Sequence, residues 1–410
     1  MMARGMAELL CDAAALAEDG SLAARHVAGF RSLGTRALIA NAACEVMLLR
    51  HGATRLPVTI DDGAHGHSYV SSPHSAYVLY PRDEIALMGL GGVRYAVEGV
   101  LAVLAGLLRV SRLNRAVHLD NWLLSTNLHG DWDGAGLTEM RATLAQRFPD
   151  HFMIIRSIDP WTCPALLDAV RADGWTLLPA RQVWVTDDLA RDWQPRNNTA
   201  NDRRALRKSG LTVDAPAQLT AAQAARIAEL YRQLYVARYS AINPQFTPQY
   251  IALSAASGLL AYRLLRNDAG EILGFAALRS AGGVGTVPLM GYDTTRPQTE
   301  GLYRMASYCA SALAMEQGLR LHGSAGASEF KRNRGARGVI EYMAVDDRHL
   351  SAPPAAPGWR CWRRASTASW CQCWRAEAGN QPTLPCQMVE RHKPVCQQHH
   401  KTLAKIGRMR

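Results

Sequence analysis

The strongest constraint on the fold is a regular alternation of strand-like and helix-like segments along the chain. Apolar runs at 116–119, 152–155 and 182–185 have the length and composition of strands. Between them, 136–148 carries apolar residues at helical spacing, and 164–172 begins with a proline and ends before a glycine. This β-α-β-α-β succession is typical of an α/β or α+β domain.

The second half of the chain repeats this style after a polar, basic joint. The pattern predicts a helix over 221–240, two strands at 260–265 and 272–278, and a third strand at 287–292. The first two strands form a hairpin, because the Asn, Asp and Gly residues between them accept the positive φ of a tight turn. The predicted organisation is an N-terminal domain with a helical extension over 1–190, a joint over 191–210, a second domain over 211–350 and a disordered tail rich in Cys, Trp and Arg over 351–410.

Four further segments carry predictions that depend on local pattern. We expect a helix at 38–50, a strand at 76–80 and a helix at 96–108. Thr295 and Gln298 have the spacing of a capping box, which predicts a helix from there to Glu316. The polar loop 121–129 is interpreted as an Asx-rich turn, with a border of an interdomain cleft as the alternative.

The net charge of +11 is concentrated in the tail and does not indicate a nucleic-acid-binding body. Residues 351–410 hold ten Lys and Arg and two acids, so the other 350 residues carry a net charge of +3. The tail has five cysteines but no Cys-x-x-Cys pair, and we predict no metal site. No charge-free run reaches the length of a membrane span, and the N-terminus lacks the features of a secretory signal, so a cytoplasmic location is expected.

One stretch near the end of the second domain combines small residues with a cluster of cations. Residues 322–327 read HGSAGA, and the following ten residues contain Phe330, Lys331 and three arginines. Small residues allow a backbone to approach a ligand closely, and clustered cations suit an anionic group such as phosphate. A basic surface turn between two strands is the alternative interpretation.

Three passages resemble the FemAB-like branch of the Gcn5-related N-acetyltransferase (GNAT) superfamily. They are NDRRALRKSG at 201–210, GYDTTR at 291–296, and GSAGASEFK at 323–331 followed by Gly335 and Ala336. The resemblance covers 200–350 well, covers the first half by element order, and excludes the last 60 residues. It implies an α+β (α/β three-layer) fold of two tandem acyl-CoA N-acyltransferase-like units, with mixed central sheets flanked by helices, plus an irregular C-terminal tail.

The same resemblance implies an N-acyltransferase that moves an acyl or aminoacyl group to an amine acceptor. Its donor would be acyl-CoA, an acyl carrier protein thioester or aminoacyl-tRNA, with no permanently bound cofactor. The chain departs from the superfamily at 293–301, where a glycine-rich loop that cradles the coenzyme A pyrophosphate is absent. A catalytically silent double fold that binds a small molecule, a carrier protein or tRNA is therefore the alternative function.

Candidate catalytic residues follow from the requirements of acyl transfer, which needs a base for the amine and an acid for the leaving group. The candidate bases are His322, Glu329 and Asp293, and the candidate acids are Tyr292 and Tyr303. His322 has the most suitable ordinary pKa, although a histidine at a strand end is often structural.

Candidate binding residues are cations and aromatic or small side chains. Lys331 matches the Phe-Lys of the family signature, so it is expected to hold a donor phosphate or an acceptor carboxylate, together with Phe330, Ser328 and Ser324. Arg296 is placed at a predicted helix start that suits an anion. Two further groups recur at four-residue spacing on predicted helices, Arg203 and Arg207, and the tyrosines Tyr231, Tyr235 and Tyr239; a solvated basic face and a core stripe are the respective alternatives.

Overall fold

The computed structural model describes residues 7–87 and 92–350, which fold around a single twelve-stranded sheet. The strands are β1 (Glu8–Leu10), β2 (Glu45–His51), β3 (Thr54–Asp62), β4 (Arg115–Leu119), β5 (Phe152–Ile158), β6 (Thr176–Thr186), β7 (Thr212–Asp214), β8 (Ala261–Arg266), β9 (Ile272–Ala281), β10 (Val284–Tyr292), β11 (Arg320–His322) and β12 (Arg337–Asp346). The tail at 351–410 lies outside the described residues, as do the predictions made for it.

The α-helices flank this sheet. They are α1 (Ala13–Asp19), α2 (Leu22–Leu33), α3 (Thr35–Leu38), α4 (Tyr80–Leu87), α5 (Val93–Ser111), α6 (Leu137–Arg147), α7 (Pro164–Ala172), α8 (Asn197–Lys208), α9 (Ala221–Tyr231), α10 (Pro248–Ala256), α11 (Leu302–Glu316) and α12 (Ser328–Arg332). In residues 7–87 and 92–350, none of the helices has the length and apolarity that crossing a bilayer requires.

The strand order is two-fold symmetric and so identifies two equivalent halves. Strands β1 to β6 occupy positions in the sheet equivalent to those of β7 to β12. It runs β1-β2-β3-β4-β5-β12-β6-β11-β10-β9-β8-β7. In each half the strands pair antiparallel except one parallel pair, β4 with β5 and β10 with β11. The chain therefore contains two tandem units of mixed sheet flanked by helices, and the predicted α+β fold class is confirmed.

The last strand of each half pairs with strands of the other half. Strand β12 inserts between β5 and β6, and β6 in turn pairs with β11. The two segments predicted as domains therefore share one continuous sheet. Opposite the middle of β6, Glu341 of β12 is paired directly with Arg181.

Several predicted elements form for the reasons that the sequence suggests. The β8–β9 hairpin closes where the Asn267 N–H donates to the Glu271 carbonyl at 3.1 Å, and Gly270 has a φ of 79°. Helix α7 has Pro164 in its first turn, and Gly174 follows it with a φ of 82°. The basic joint is itself largely helical, because it contains α8.

The predicted helix at 38–50 is wrong, since α3 ends at Leu38 and Glu45–His51 forms β2. Strand β2 pairs with β3 along its whole length, so tertiary pairing overrides the local helical pattern.

The predicted strand at 76–80 is also wrong. Ser75–Leu79 forms a π-helix that continues into α4. The preceding backbone is capped, because the His74 N–H donates to the Asn114 side chain and the Ser75 N–H donates to the Ser72 hydroxyl. A five-residue apolar run cannot by itself distinguish these two structures.

The predicted capping box at Thr295 does not form. The Thr295 hydroxyl donates to the Asp293 carboxylate at 2.6 Å instead, and α11 begins at Leu302 after a short 3-10 turn. The N-cap of α11 is Gly301, in the left-handed region and without a side-chain cap. The predicted buried stripe on this helix is present, with Leu302, Met305, Cys309 and Leu313 in the core.

Candidate functional site

A cavity of about 370 Å³ lies where the two halves meet, and both halves contribute to its wall. It is lined by aromatic, charged and small residues, among them Tyr69, Tyr80, Glu84, Ser125 and Arg181 from the first half and Tyr231, Tyr235, Tyr239, Tyr303, Ser324, Phe330, Lys331 and Arg334 from the second. The size and the aromatic lining suit a small organic group, and the few charges can orient it.

The loop 323–327 reaches the cavity because its residues are small and its backbone turns sharply. Ser324 and Ala327 have φ values of 59° and 44°, the left-handed region that non-glycine residues seldom adopt. A Cβ on Gly323 would lie 3.1 Å from the Trp184 carbonyl oxygen, so a larger residue would push the loop away from β6. This loop is the small-residue part of the sequence signature.

The ammonium group of Lys331 holds this loop from inside. Its Nζ donates to the Ala325 carbonyl at 2.6 Å and lies 3.4 Å from the Ser324 carbonyl. The Ser324 hydroxyl in turn accepts a hydrogen bond from Thr126 of the first half at 3.0 Å. Lys331 therefore brings a positive charge to the cavity wall and fixes the backbone beside it.

Helix α12 is positioned by a buried carboxylate. Asp202 accepts hydrogen bonds at 2.7 Å from both Arg304 and Arg334, and its side chain is 2% exposed. The Arg334 guanidinium lies 3.4 Å above the centre of the Phe330 ring. This cation–π contact orients Phe330 toward the cavity.

The guanidinium of Arg181 is neutralised by a carboxylate from the other half. Its Nε and Nη2 donate to the two carboxylate oxygens of Glu341 at 2.8 and 3.1 Å, and Nη2 also donates to the Ser125 carbonyl at 2.6 Å. Burial alone would lower the pKa of Arg181, but the Glu341 carboxylate raises it above its ordinary value. Arg181 is therefore a fixed cation in the wall.

Glu84 is the sole acidic side chain that the described residues contribute to the cavity wall. Burial raises the pKa of Glu84 above its ordinary value, against the opposing effects of the Arg181 charge and a hydrogen bond with Tyr80. A carboxylate in these surroundings accepts a proton more readily than one in water. In position and chemistry, Glu84 can act as a base.

Tyrosine rings form most of the remaining wall. Tyr69 and Tyr80 lie with ring centres 5.0 Å apart, and Tyr231 stacks on Tyr235 at the same distance. Tyr303 meets the Phe330 ring edge-on at 5.0 Å. Burial raises the pKa of Tyr235 and of Tyr80 far above the ordinary value, so both keep their protons. The predicted tyrosine stripe thus lies both in the core and at the cavity.

The structure brings together part of the predicted site. Ser324, Phe330, Lys331, Tyr303 and the three tyrosines of the stripe line the cavity; His322, Glu329, Asp293, Ser328, Arg296, Arg203 and Arg207 do not. Glu329 and both of the α8 arginines are exposed to solvent.

His322 lies behind the loop rather than in the cavity wall. It is fully buried, and its Nδ1 accepts the Ser324 N–H at 3.1 Å. Burial lowers the pKa of His322 to about 4, so the ring is neutral at pH 7. In this geometry His322 supports the backbone of the loop.

Asp293 and Arg296 are occupied by neighbours in the turn after β10. The Asp293 carboxylate accepts the Thr295 N–H at 3.0 Å and an Arg226 N–H at 2.7 Å, while Arg296 pairs with Glu300 at 2.6 Å. Asp120 stands at the equivalent position after β4. A carboxylate therefore follows both β4 and β10, and its negative charge disfavours the binding of a phosphate at the ends of these strands.

Sequence reasoning missed Glu84, Arg181, Tyr69 and Tyr80. Tyr80 and Glu84 are four residues apart on α4, which a helical interpretation of this segment would have placed on one face. Arg181 could not be found in this way, because its role depends on pairing with a strand 160 residues away. In the described part of the chain, no group of three or more His, Cys, Asp or Glu side chains is arranged to hold a metal ion.

The sheet of two tandem mixed units is the arrangement that the resemblance to the FemAB-like branch of the GNAT superfamily implied. No family model matches the chain, and no curated protein matches its sequence.

Solved structures similar to the chain include the C-terminal DUF2156 domain of a putative lysylphosphatidylglycerol synthetase from Agrobacterium fabrum, with 15% identity, a TM-score of 0.42, and coverage of 64% of this chain and 91% of that one. FemX matches with 12% identity and a TM-score of 0.40, covering 51% and 75%. A tandem GNAT protein from the clavulanic acid biosynthesis pathway matches with 11% identity and a TM-score of 0.38, covering 83% and 98%. At these values the similarity concerns the fold alone.

Proposed function

We propose that the protein is an acyltransferase that moves an acyl or aminoacyl group from a thioester or tRNA donor to an amine. The observation that carries this proposal is a partly buried carboxyl, Glu84, in a cavity whose wall also holds the fixed cations Arg181 and Lys331. An amine is protonated at neutral pH, and it can attack an acyl donor only after a group has removed the proton.

The proposed reaction needs no covalent intermediate on the protein. The amine nitrogen attacks the carbonyl carbon of the donor, the bond from that carbon to sulfur or to the ribose oxygen breaks, and the leaving group takes up a proton. Glu84 accepts the proton that the amine loses, and the same proton then passes from Glu84 to the sulfur or oxygen of the leaving group. The ammonium of Lys331, fixed 2.6 Å from the Ala325 carbonyl, supplies positive charge for the carbonyl oxygen or for a donor phosphate.

A binding function without catalysis is the second candidate, and one observation favours it. Asp120 and Asp293 occupy the strand ends at which a glycine-rich loop would cradle a pyrophosphate, and Asp293 already uses the Thr295 N–H. A donor that contains a pyrophosphate would have to be held elsewhere.

The test is a donor screen with the purified full-length chain and a mixture of primary amines. Acyl-CoA and acyl carrier protein thioesters are followed by release of free thiol, and aminoacyl-tRNA by loss of the labelled aminoacyl group. We expect turnover with one donor class, and a fall of about 100-fold or more in kcat for Glu84→Gln. The matched control is Glu18→Gln, an exposed glutamate on α1, which should keep the wild-type rate.

The pH profile provides an independent readout of the same residue. Because the pKa of Glu84 is raised, kcat should increase with pH through a value above 4.5, and this limb should vanish in Glu84→Gln. Turnover that survives the substitution would remove Glu84 from the mechanism. Saturable binding of a donor without any turnover would instead establish the binding function.

A further inference from the structure

A buried arginine of the second half, outside the first cavity, has few hydrogen-bonding or ion-pair partners. Arg279 lies on β9, is 8% exposed, and alternates onto the face that carries Phe275 and Ala277. No carboxylate of residues 7–87 or 92–350 forms an ion pair with it, since Asp120 acts on it only from a longer distance, and its hydrogen bond goes to the adjacent Ser280 carbonyl. Its remaining N–H groups therefore have no protein acceptor in this part of the chain.

Two partly buried arginines show how other guanidinium groups in this protein are paired. Arg181 donates to both oxygens of Glu341, and Arg156 has three oxygen acceptors within 3.5 Å. A guanidinium carries five N–H donors, and burying a charge without partners is costly. Arg279 thus differs from both in lacking an acceptor set.

Arg279 borders a second cavity, of about 460 Å³, which shares no lining residue with the first. Its guanidinium lies 4.8 Å above the Trp122 ring, and Trp132 forms another part of the wall. The two indoles supply apolar surface, while Arg279 supplies a positive charge at one place. A ligand that fits this arrangement has an apolar body and an anionic end.

The histidine in the same wall adds a second positive charge. The His129 Nδ1 lies 2.7 Å from the Asp120 carboxylate and its Nε2 lies 2.8 Å from the Arg156 carbonyl. Both partners are acceptors, so both ring nitrogens donate and the ring is an imidazolium. Burial would lower the pKa of His129, but Asp120 raises it above its ordinary value. Burial lowers the pKa of Arg279 and the more distant Asp120 charge opposes this effect, while the short contact of Asp120 is with His129.

We propose that this second cavity is a binding site for a small organic anion, whose carboxylate or phosphate is held by Arg279 and whose apolar part lies against Trp122 and Trp132. The site is independent of the acyl-transfer proposal, because it lies at a separate cavity. A neutral molecule of the same shape lacks the group that Arg279 binds.

The test uses isothermal titration of the purified full-length protein with benzoate, inorganic phosphate and benzamide. Benzoate and benzamide have nearly the same shape and differ in charge. We expect saturable binding of benzoate, weaker or no binding of phosphate, and affinity for benzamide lower by about tenfold or more. If phosphate binds more tightly than benzoate, the site still takes an anion, but the apolar part of the proposal is wrong.

Two variants assign the site to the second cavity. Arg279→Gln should weaken benzoate by about tenfold or more, whereas Arg263→Gln, a partly exposed arginine of β8 paired with Glu316, should leave it unchanged. If Arg279→Gln does not fold, the wild-type comparison of benzoate with benzamide still decides the question. Equal affinity for the two, or no binding of either anion, would overturn the proposal.

Discussion

Acidification should destabilise the protein through histidines that the fold keeps neutral, and His118 allows the effect to be calculated. His118 lies on β4, is 1% exposed, and its Nδ1 has no hydrogen-bond partner in the described part of the chain. Burial, with a smaller effect of the Arg156 charge, lowers the pKa of His118 to about 3. In the unfolded chain the same side chain has a pKa of about 6.5.

The sign and the size follow from proton linkage. Between pH 6.5 and pH 3 the unfolded state binds a proton at His118 and the folded state does not, so stability is present above the unfolded pKa and is lost as the pH falls. From pH 7 to pH 5 the loss at this one residue is about 2 kcal/mol. The figure depends little on the folded pKa, since any value below about 4 leaves the folded state neutral at pH 5.

The assay is urea unfolding of the wild type and His118→Gln at pH 8, 7 and 5. Other groups change the unfolding free energy in the opposite direction as the pH falls. Asp159 is one of them, because burial raises its pKa to about 6. The informative quantity is therefore the difference in unfolding free energy between the wild type and the variant. The gap in unfolding free energy should be constant from pH 8 to 7 and should change by about 2 kcal/mol in favour of the variant at pH 5. A parallel pH dependence in both proteins would refute the reasoning.

Three further substitutions test the contacts that position α12 and the turn between β9 and β10. Asp202→Asn should lower the free energy of unfolding by about 3 kcal/mol in urea titration, because it leaves two arginines without their shared carboxylate; an unchanged midpoint would contradict the role assigned to it. Gly282→Ala should cost about 3 kcal/mol, since φ is 53° and the new Cβ would lie 2.8 Å from a backbone oxygen. Gly283→Ala, with φ of 70° and open space around it, should cost about 1 kcal/mol; equal losses would show that the close contact is unimportant.

The parts of the fold that sequence predicted are those governed by local chemistry. The Asn267–Gly270 turn predicts its hairpin because few residues accept its backbone angles, and the proline and glycine around α7 mark that helix clearly. The segments at 38–50 and 76–80 were predicted wrongly, because pairing with β3 and capping by Asn114 decide their structure. These contacts come from distant parts of the chain.

The candidate site shows the same division between local and distant information. Phe330, Lys331 and Ser324 reach the cavity because one short sequence signature specifies the loop and α12 together. His322, in the same signature, has the right chemistry but points into the core, which no spacing rule reveals. Glu84 was missed because the predicted strand 76–80 ends at Tyr80 and no element was predicted over 81–95, so no four-residue pairing with Tyr80 was expected.

The exchange of terminal strands explains why the cavity depends on both halves at once. Arg181 belongs to the first half and Glu341 to the second, yet they face each other because β6 and β12 are neighbours in the sheet. The carboxylate that fixes the cation of one half is therefore supplied by the other. The same holds for the hydrogen bond between Thr126 and Ser324, which joins a first-half loop to the loop that Lys331 supports. Neither half contains a complete wall, and the Arg181–Glu341 pair forms only because β6 and β12 lie side by side.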